Sequence, residues 1–257
     1  MPIKISTRST RASTCASGYV VAGVYGKKDF TPSASELNDK TSSAIDSLIA
    51  NNDLKSKVGS CVTLHLVDGI KAKRVIVVQL GPRKEFNQAQ FNKAMSGAAS
   101  QLTSGDPAAA TVFISDIEVP ERSLCWVARR VVEIFSLHLY TFDQLKNDAG
   151  KAKKQWQVQI AVDSRSDLAE ARDGANMGQA IAEGVSLSRD LGNLPGNICT
   201  PTYLANAARE LDSHNQLSVE VLEEDEMAKL GMNSLLSVSR GSREPAKLII
   251  MNYAGDP

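Results

Sequence analysis

The chain has 257 residues, 42% of them hydrophobic and 23% charged, and its 29 basic side chains balance 29 acidic ones. These values are ordinary for a globular protein, and the length allows one large domain or two of usual size that bury their cores without disulfides or structural metals. No run of about 18 apolar residues occurs, which excludes a membrane span, and Cys15, Cys61, Cys125 and Cys199 form no CxxC pair or zinc-ligand spacing, which points to reduced thiols in a reducing compartment.

Charge is unevenly distributed along the chain. Residues 1–160 carry 21 Lys+Arg and 14 Asp+Glu, a balance of +7, whereas residues 161–257 carry 8 and 15, a balance of −7. Such asymmetry suggests two modules and permits a polyanion partner for the first, with a solvated surface as the default explanation.

The first seventeen residues hold Lys4, Arg8 and Arg11, many hydroxyl side chains and no acid, a composition shared with organelle transit peptides. They also contain the alternating Ile3-Lys4-Ile5-Ser6 of an edge strand and run directly into Tyr19–Tyr25, so they are read as part of the first domain. Tyr19–Tyr25, Cys61–Val67, Arg74–Leu80, Thr111–Ser115 and Val158–Val162 are short apolar runs of the kind that form strands. Between them Ser33–Ala50, Phe86–Leu102 and Arg122–Tyr140 have helical periodicity. The first starts at Ser33 or Ser35 as N-cap and aligns Leu37, Ala44, Ile45 and Leu48; the third aligns Leu124, Ala128, Val131 and Phe135. Strands separated by helices predict an α/β layered domain with a mostly parallel sheet, ending near residue 160 after a polar, basic loop at Asn147–Gln157.

From Asp163 to Leu191 one long helix is expected, capped by Asp163, Ser164 or Ser166, with Leu168, Ala171, Ala175, Ala182, Val185 and Leu187 as its apolar stripe. Gly174, Gly178 and Gly184 each weaken a helix by about 1 kcal/mol relative to Ala, so three of them in one helix imply close packing against another element. Pro195 and Gly196 end this helix, which reads as a bridge between domains. Beyond it come a helix at Thr202–His214, a strand at Leu217–Leu222, a short helix at Glu223–Leu230 and strand-like runs at Ser234–Ser239 and Lys247–Tyr253. This is a second α/β domain begun and not completed. A sheet interrupted there leaves an unpaired edge, so the sequence is expected to be truncated.

Ser188–Tyr203, SRDLGNLPGNICTPTY, resembles the segment through which leucyl aminopeptidases enter their catalytic domain: Asp-Leu-x-Asn and Pro-x-Asn, with Thr-Pro following. Val219–Glu223, Glu226–Met232, Leu235–Ser242 and Lys247–Tyr253 resemble the family's next elements in order and spacing. Tyr19–Tyr25, Arg74–Gly81 and Tyr140–Lys146 extend a weaker likeness across the first domain. By these segments the chain is identified as a member of the leucyl (cytosol) aminopeptidase family, most like its bacterial type.

The resemblance implies an α/β fold: a macro-domain-like N-terminal α/β domain over residues 1–162, a linking helix over 163–192, and an incomplete C-terminal α/β peptidase domain over 193–257. It also implies a cytoplasmic homo-hexamer that removes N-terminal amino acids from peptides. Two divalent ions, manganese or zinc, would polarise the scissile carbonyl and activate a bridging water in the full-length enzyme. The family's metal ligands sit in a Gly-Lys-Gly…Phe-Asp-Ser-Gly-Gly segment and an Asn-Thr-Asp-Ala-Glu-Gly-Arg segment, and neither occurs in this sequence. No catalytic, metal or cofactor-binding residue is therefore carried over, and the chain alone is expected to bind no metal and to be inactive.

Residue types with catalytic potential have structural readings here. Glu223-Glu224-Asp225-Glu226 offers four carboxyls, but adjacent acids at a helix start diverge and are favoured there by the helix dipole. His65, His138 and His214 form no i, i+4 pair and no HExxH. No GxSxG elbow exists, Cys199 lies in a segment suited to packing or a turn, and Gly81-Pro82-Arg83-Lys84 lacks the spacing of a phosphate loop. Lys151, Lys153 and Lys154 with Trp156 form a basic-aromatic patch, and some bacterial relatives of the family bind DNA. A second reading is therefore a module that binds nucleic acid or an ADP-ribose-like ligand through the first domain.

Overall fold

The computed structural model describes residues 3–65, 68–106, 108–147, 155–214 and 216–255. The chain divides into two units, Met1–Ser186 and Leu187–Pro257. In chain order the first unit contains β1 (Ile3–Ser9), β2 (Tyr19–Tyr25), β3 (Asp29–Phe30), α1 (Pro32–Lys40), α2 (Ala44–Ala50), β4 (Cys61–His65), β5 (Arg74–Gln79), α3 (Gln88–Thr103), β6 (Ala109–Phe113), α4 (Leu124–Leu139) and β7 (Trp156–Val162). Helix α5 (Leu168–Asn193) crosses from this unit into the next.

The strands of the first unit form one sheet in the order β1-β7-β6-β2-β5-β4, with β3 alongside β2. The β1–β7, β7–β6, β6–β2 and β2–β5 pairs are parallel, while β4 and β3 run antiparallel to their neighbours. This is the mostly parallel α/β sheet expected from the sequence.

Why β2 reads as an unbroken apolar run follows from its position. It is central and covered on both faces, so neither half of its period-2 alternation faces water. Tyr19, Val21 and Tyr25 join the core beneath α3 and α4, whereas Val20, Ala22 and Val24 join the core beneath α1 and α2. Strand β5 divides in the same way, with Ile76 and Val78 on one side and Val75 and Val77 on the other. The N-terminal segment is an edge strand as expected, pairing Ile3 with Trp156 through Ser9 with Val162.

After β2 the chain reaches β5 by way of α1 and α2 on one face, but after β6 it reaches β7 through α4 on the other. The direction of winding therefore reverses between β2 and β6. The loops that leave these two strands part at their carboxyl ends, the place where open α/β sheets offer a crevice.

Several boundaries differ from expectation. The helix expected over Ser33–Ala50 is two helices, because Ser42 and Ser43 adopt left-handed backbone at φ 51° and 59°. Asn38, buried at the end of α1, accepts hydrogen bonds from Ile45 N (3.0 Å) and Asp46 N (3.1 Å) and so caps α2 from outside it. Thr31, not Ser33 or Ser35, caps α1, its hydroxyl accepting from Ala34 N. The long helix starts at Leu168 instead of Asp163, because a single 3-10 turn at Arg165–Asp167, capped by Ser164, precedes it. Strand β6 lies two residues earlier than the expected Thr111–Ser115. Residues 66–67 of the expected Cys61–Val67 strand, and most of the expected 147–157 loop, lie outside the described residues.

The glycines of α5 behave in two ways. A Cβ on Gly174 would sit 2.1 Å from the carbonyl oxygen of Cys125, and one on Gly178 2.6 Å from that of Arg129, so α5 lies backbone-to-backbone against α4. Gly184 has open space around it, and close packing does not account for it.

The second unit holds α6 (Pro201–Leu211), β8 (Leu217–Leu222), α7 (Glu224–Lys229), α8 (Asn233–Ser239) and β9 (Leu248–Tyr253). Strands β8 and β9 are antiparallel, pairing Leu217 with Tyr253 through Leu222 with Leu248. The expected strand at Ser234–Ser239 is helix α8. Met232, Leu235 and Leu236 pack on the small core around Leu222 and Met227 at the i, i+3, i+4 spacing of a helix, and this outweighs the β-propensity of a single valine.

Candidate functional site

In the second unit the acidic cluster does structural work. Glu223 is the N-cap of α7 and forms a capping box with Glu226, whose Oε2 accepts Glu223 N at 2.8 Å. Glu223 also pairs with Lys247, and with Arg209 at 3.7 Å. Glu224 Oε1 accepts Ala246 N at 2.9 Å. With these oxygens used for capping and bracing, they are not free to converge on an ion.

His65 ends β4, His138 sits one residue before the end of α4, and His214 follows α6. Among the described residues no three His, Cys, Asp or Glu side chains stand close enough together to hold a metal ion. Among the described residues the donor set therefore does not fit a two-metal centre. Nucleophiles fare similarly. Cys15 is sealed in the core, and burial pushes the Cys61 thiol up to about 12, far from the thiolate a nucleophile needs. Cys199 caps a turn, its N–H donating to Pro195 O at 2.9 Å.

The expected basic-aromatic patch needs correction. Lys151, Lys153 and Lys154 lie outside the described residues, but Trp156 opens β7 with 7% exposure and its ring lies 5.8 Å from that of Tyr19 in the core. An indole buried there has no face to offer a nucleobase.

Polar side chains do gather at the carboxyl end of the first unit's sheet. Gln79, at the end of β5 and 3% exposed, accepts Gly26 N and Gly81 N and donates to Gly26 O, each at 3.1 Å, so one buried amide ties the turns after β2 and β5. Gly26 and Gly81 take positive φ of 63° and 89°, the backbone these tight turns require. The Gly81–Lys84 stretch is a loop leading into a 3-10 turn, and Arg83 is engaged within it. Its Nε and Nη2 reach Asp29 Oδ2 and Oδ1, both at 2.7 Å, and its guanidinium lies 3.9 Å from the centre of the Tyr25 ring. The Arg83 hydrogen bonds hold the Asp29 carboxyl below its usual range, and burial pushes the Tyr25 phenol up to about 12.

Across the crevice, Asp116 follows β6 and is 7% exposed. Its Oδ2 accepts Ser33 N at 2.7 Å in the first turn of α1, while its Oδ1 is buried with no hydrogen-bond donor directed at it. Asp163 follows β7 directly, and its N–H donates to Ser115 Oγ at 3.2 Å. Glu36 on α1 accepts from Ala12 N at 3.2 Å and from the Ser13 hydroxyl. Burial raises the carboxyls of both Asp116 and Asp163, and neighbouring acids, Glu36 among them, add to the effect. A phosphate approaching the first turn of α1 would find its place taken by a carboxylate and two more acids beside it. The arrangement opposes anionic ligands such as ADP-ribose at this place.

None of Asp116, Asp163, Glu36 or Gln79 stood out in the sequence. The available signal was an acid immediately after each of two apolar strands, Asp116 and Asp163, at the ends where α/β folds place polar groups.

The description "Cytosol aminopeptidase family, N-terminal domain" matches residues 21–149, and that family's catalytic domain matches residues 186–257. A probable cytosol aminopeptidase of Azoarcus sp. is 40% identical over 242 residues, covering 93% of this chain and 48% of the relative. That of Aromatoleum aromaticum is 38% identical over 240 residues, again covering 93% of this chain and 48% of the relative. Among solved structures, a mutant of tomato leucine aminopeptidase superposes with a TM-score of 0.80 at 19% identity, over 99% of this chain and 52% of that one. The bottromycin maturation enzyme BotP in complex with Mn does so with 0.70 at 24% identity, over 95% of this chain and 46% of its own. The chain thus spans about half the length of the curated relatives it matches.

Proposed function

The chain belongs to the cytosol aminopeptidase family, and from that premise we propose that it supplies the first half of a metal-dependent peptidase that removes N-terminal residues from peptides. What carries this reading is collinearity: the family's N-terminal domain and the opening of its catalytic domain follow one another here as in relatives of about twice the length. The proposed division is an N-terminal domain over 1–162, a linking helix over 163–192 and the start of the catalytic domain over 193–257. The change of unit after Ser186, inside α5, supports a helix that bridges two bodies.

Two divalent ions, manganese or zinc, complete the proposed enzyme. The manganese complex of a structural relative supports that chemistry. The ions belong to Gly-Lys-Gly…Phe-Asp-Ser-Gly-Gly and Asn-Thr-Asp-Ala-Glu-Gly-Arg segments that these 257 residues do not contain, so no residue here is assigned a catalytic or metal-binding role. The part played by this chain is scaffolding, assembly into a cytoplasmic homo-hexamer, and shaping access to the peptide site.

The test is a leucine p-nitroanilide assay on the purified 257-residue chain with added Mn2+ or Zn2+. Expected is no metal-dependent hydrolysis, since a two-metal mechanism needs converging donors. Turnover that requires metal and is abolished by chelation would refute the assignment. Reading the coding DNA past the codon for Pro257 complements it, the expectation being that the frame continues into the two metal-binding segments.

A further inference from the structure

Helix α5 carries two apolar stripes at the i, i+3, i+4, i+7 spacing of a single helix face. Ala171, Gly174, Ala175 and Gly178 form the first and are buried. Met177, Ala180, Ile181 and Gly184 repeat the pattern six residues later and are all exposed, Met177 to 53% and Ile181 to 44%. At about 100° per residue, that shift turns the second stripe roughly 240° away from the first. Apolar stripes mark the faces a helix buries, so α5 has a second face to bury.

The first stripe shows what this pattern does. Its glycines bring α4 backbone to backbone with α5, the Cys125 and Arg129 carbonyls lying where a Cβ would stand. Gly184 holds the place of Gly178 in the second stripe. It weakens the helix relative to alanine, and nothing lies within 4 Å of where its Cβ would be. It leaves a hollow beside two exposed large side chains.

We propose that a second copy of this chain packs on this face, its α5 running antiparallel and crossing between Ala180 and Ile181. A two-fold axis at that point sets Met177 of each copy over Gly184 of the other and Ala180 against Ile181, so large meets small throughout. Charge selects both the occupant and its direction. Residues 1–186 carry 23 Lys+Arg and 19 Asp+Glu, a balance of +4, whereas residues 187–257 carry 6 and 10, a balance of −4. Helix α5 leads from the basic unit into the acidic one. Antiparallel helices therefore lay each basic unit beside the acidic unit of the other copy, while parallel helices would set like charges together. The contact rests on the homo-oligomeric part of the function proposed above and names one surface through which the copies meet. Two helical turns from each copy make an interface below about 1,200 Å2, so the pair formed by this chain alone is weak and concentration-dependent.

The experiment is sedimentation equilibrium of the 257-residue chain from micromolar to about millimolar concentration, with thermal melts recorded in dilute solution. Expected is reversible self-association that weakens as salt is raised. Gly184→Leu, which fills the hollow, and Met177→Glu should each weaken it at least about tenfold without lowering the dilute melting temperature. Gly184→Ala should move the two readouts in opposite directions, melting higher through better helix propensity and associating more weakly. A chain that stays monomeric at every concentration overturns the contact, and that result needs no variant to fold. Association that all three substitutions leave unchanged overturns it equally. Either result leaves the peptidase assignment standing, since that is decided by the leucine p-nitroanilide assay and the coding DNA.

Discussion

The two units of this chain draw on the same vocabulary of apolar strands and amphipathic helices and end in different physical states. In the first, Phe91, Phe113 and Phe135 are fully enclosed, because helices cover a sheet of several strands on both faces. In the second, the buried hydrophobics among the described residues are Ala205, Ala208, Leu222, Met227 and Ala246, while Leu230, Tyr253 and Val238 are 62%, 70% and 86% exposed. Local pattern is equal in the two; layering is not. A two-stranded sheet cannot enclose a side chain from both sides, and isolated strand pairs are marginal in water. Stability thus resides in how many layers a region closes, not in how strand-like or helical its sequence reads.

The strongest test of that contrast is native-state hydrogen exchange of the whole chain. Amides of β2, β5 and β6 should exchange only through global unfolding, whereas those of β8 and β9 should open locally at a cost lower by about 3 kcal/mol or more, on the order of a hundredfold in protection. Equal protection would dissolve the comparison. Next in size, Phe135→Ala should cost about 3–5 kcal/mol, read from the denaturant midpoint, while Val238→Ala should stay within about 0.5 kcal/mol.

Helix α5 offers a sharper pair. Gly174→Ala, whose Cβ would meet the Cys125 carbonyl at 2.1 Å, should destabilise by about 1–3 kcal/mol, and Gly184→Ala, in open space, should stabilise by up to about 1 kcal/mol. Thermal melts giving the same sign for both would refute the backbone-to-backbone contact. The smallest effect is expected at α7. Glu226→Ala removes half of the capping box and should cost about 1 kcal/mol or less, visible as faster exchange of the Glu223 amide.

Most of the fold was legible because most of its determinants are local. Continuous apolar runs marked the buried strands β2 and β5, and Asn87 and Ser123 are side-chain caps at the starts of α3 and α4, close to where periodicity placed those helices. What escaped had non-local causes. The break between α1 and α2 depends on a serine pair in left-handed backbone and on Asn38 reaching across seven residues, which periodicity averages over. Helix α8 was misread because its run is too short for its period to be settled, and only the core it rests on decides. Asp116 and the Ser33 amide that it accepts from lie 83 positions apart, brought together by strand order alone.

The pairing of β1 with β7 also governs time. Ile3 finds its partner at Trp156, 153 positions later (156 − 3), so within this sheet β1 is made before its partner β7 by that whole interval. At translation rates of 5–20 residues per second that interval is roughly 8 to 30 s. Through it, the nascent β1 and the open flank of β6 must wait without a partner. Closing this pair last makes it the step with the largest loop to gather, and topologies of that kind fold slowly. A newly made chain is thus most in need of a chaperone until residue 162 has emerged.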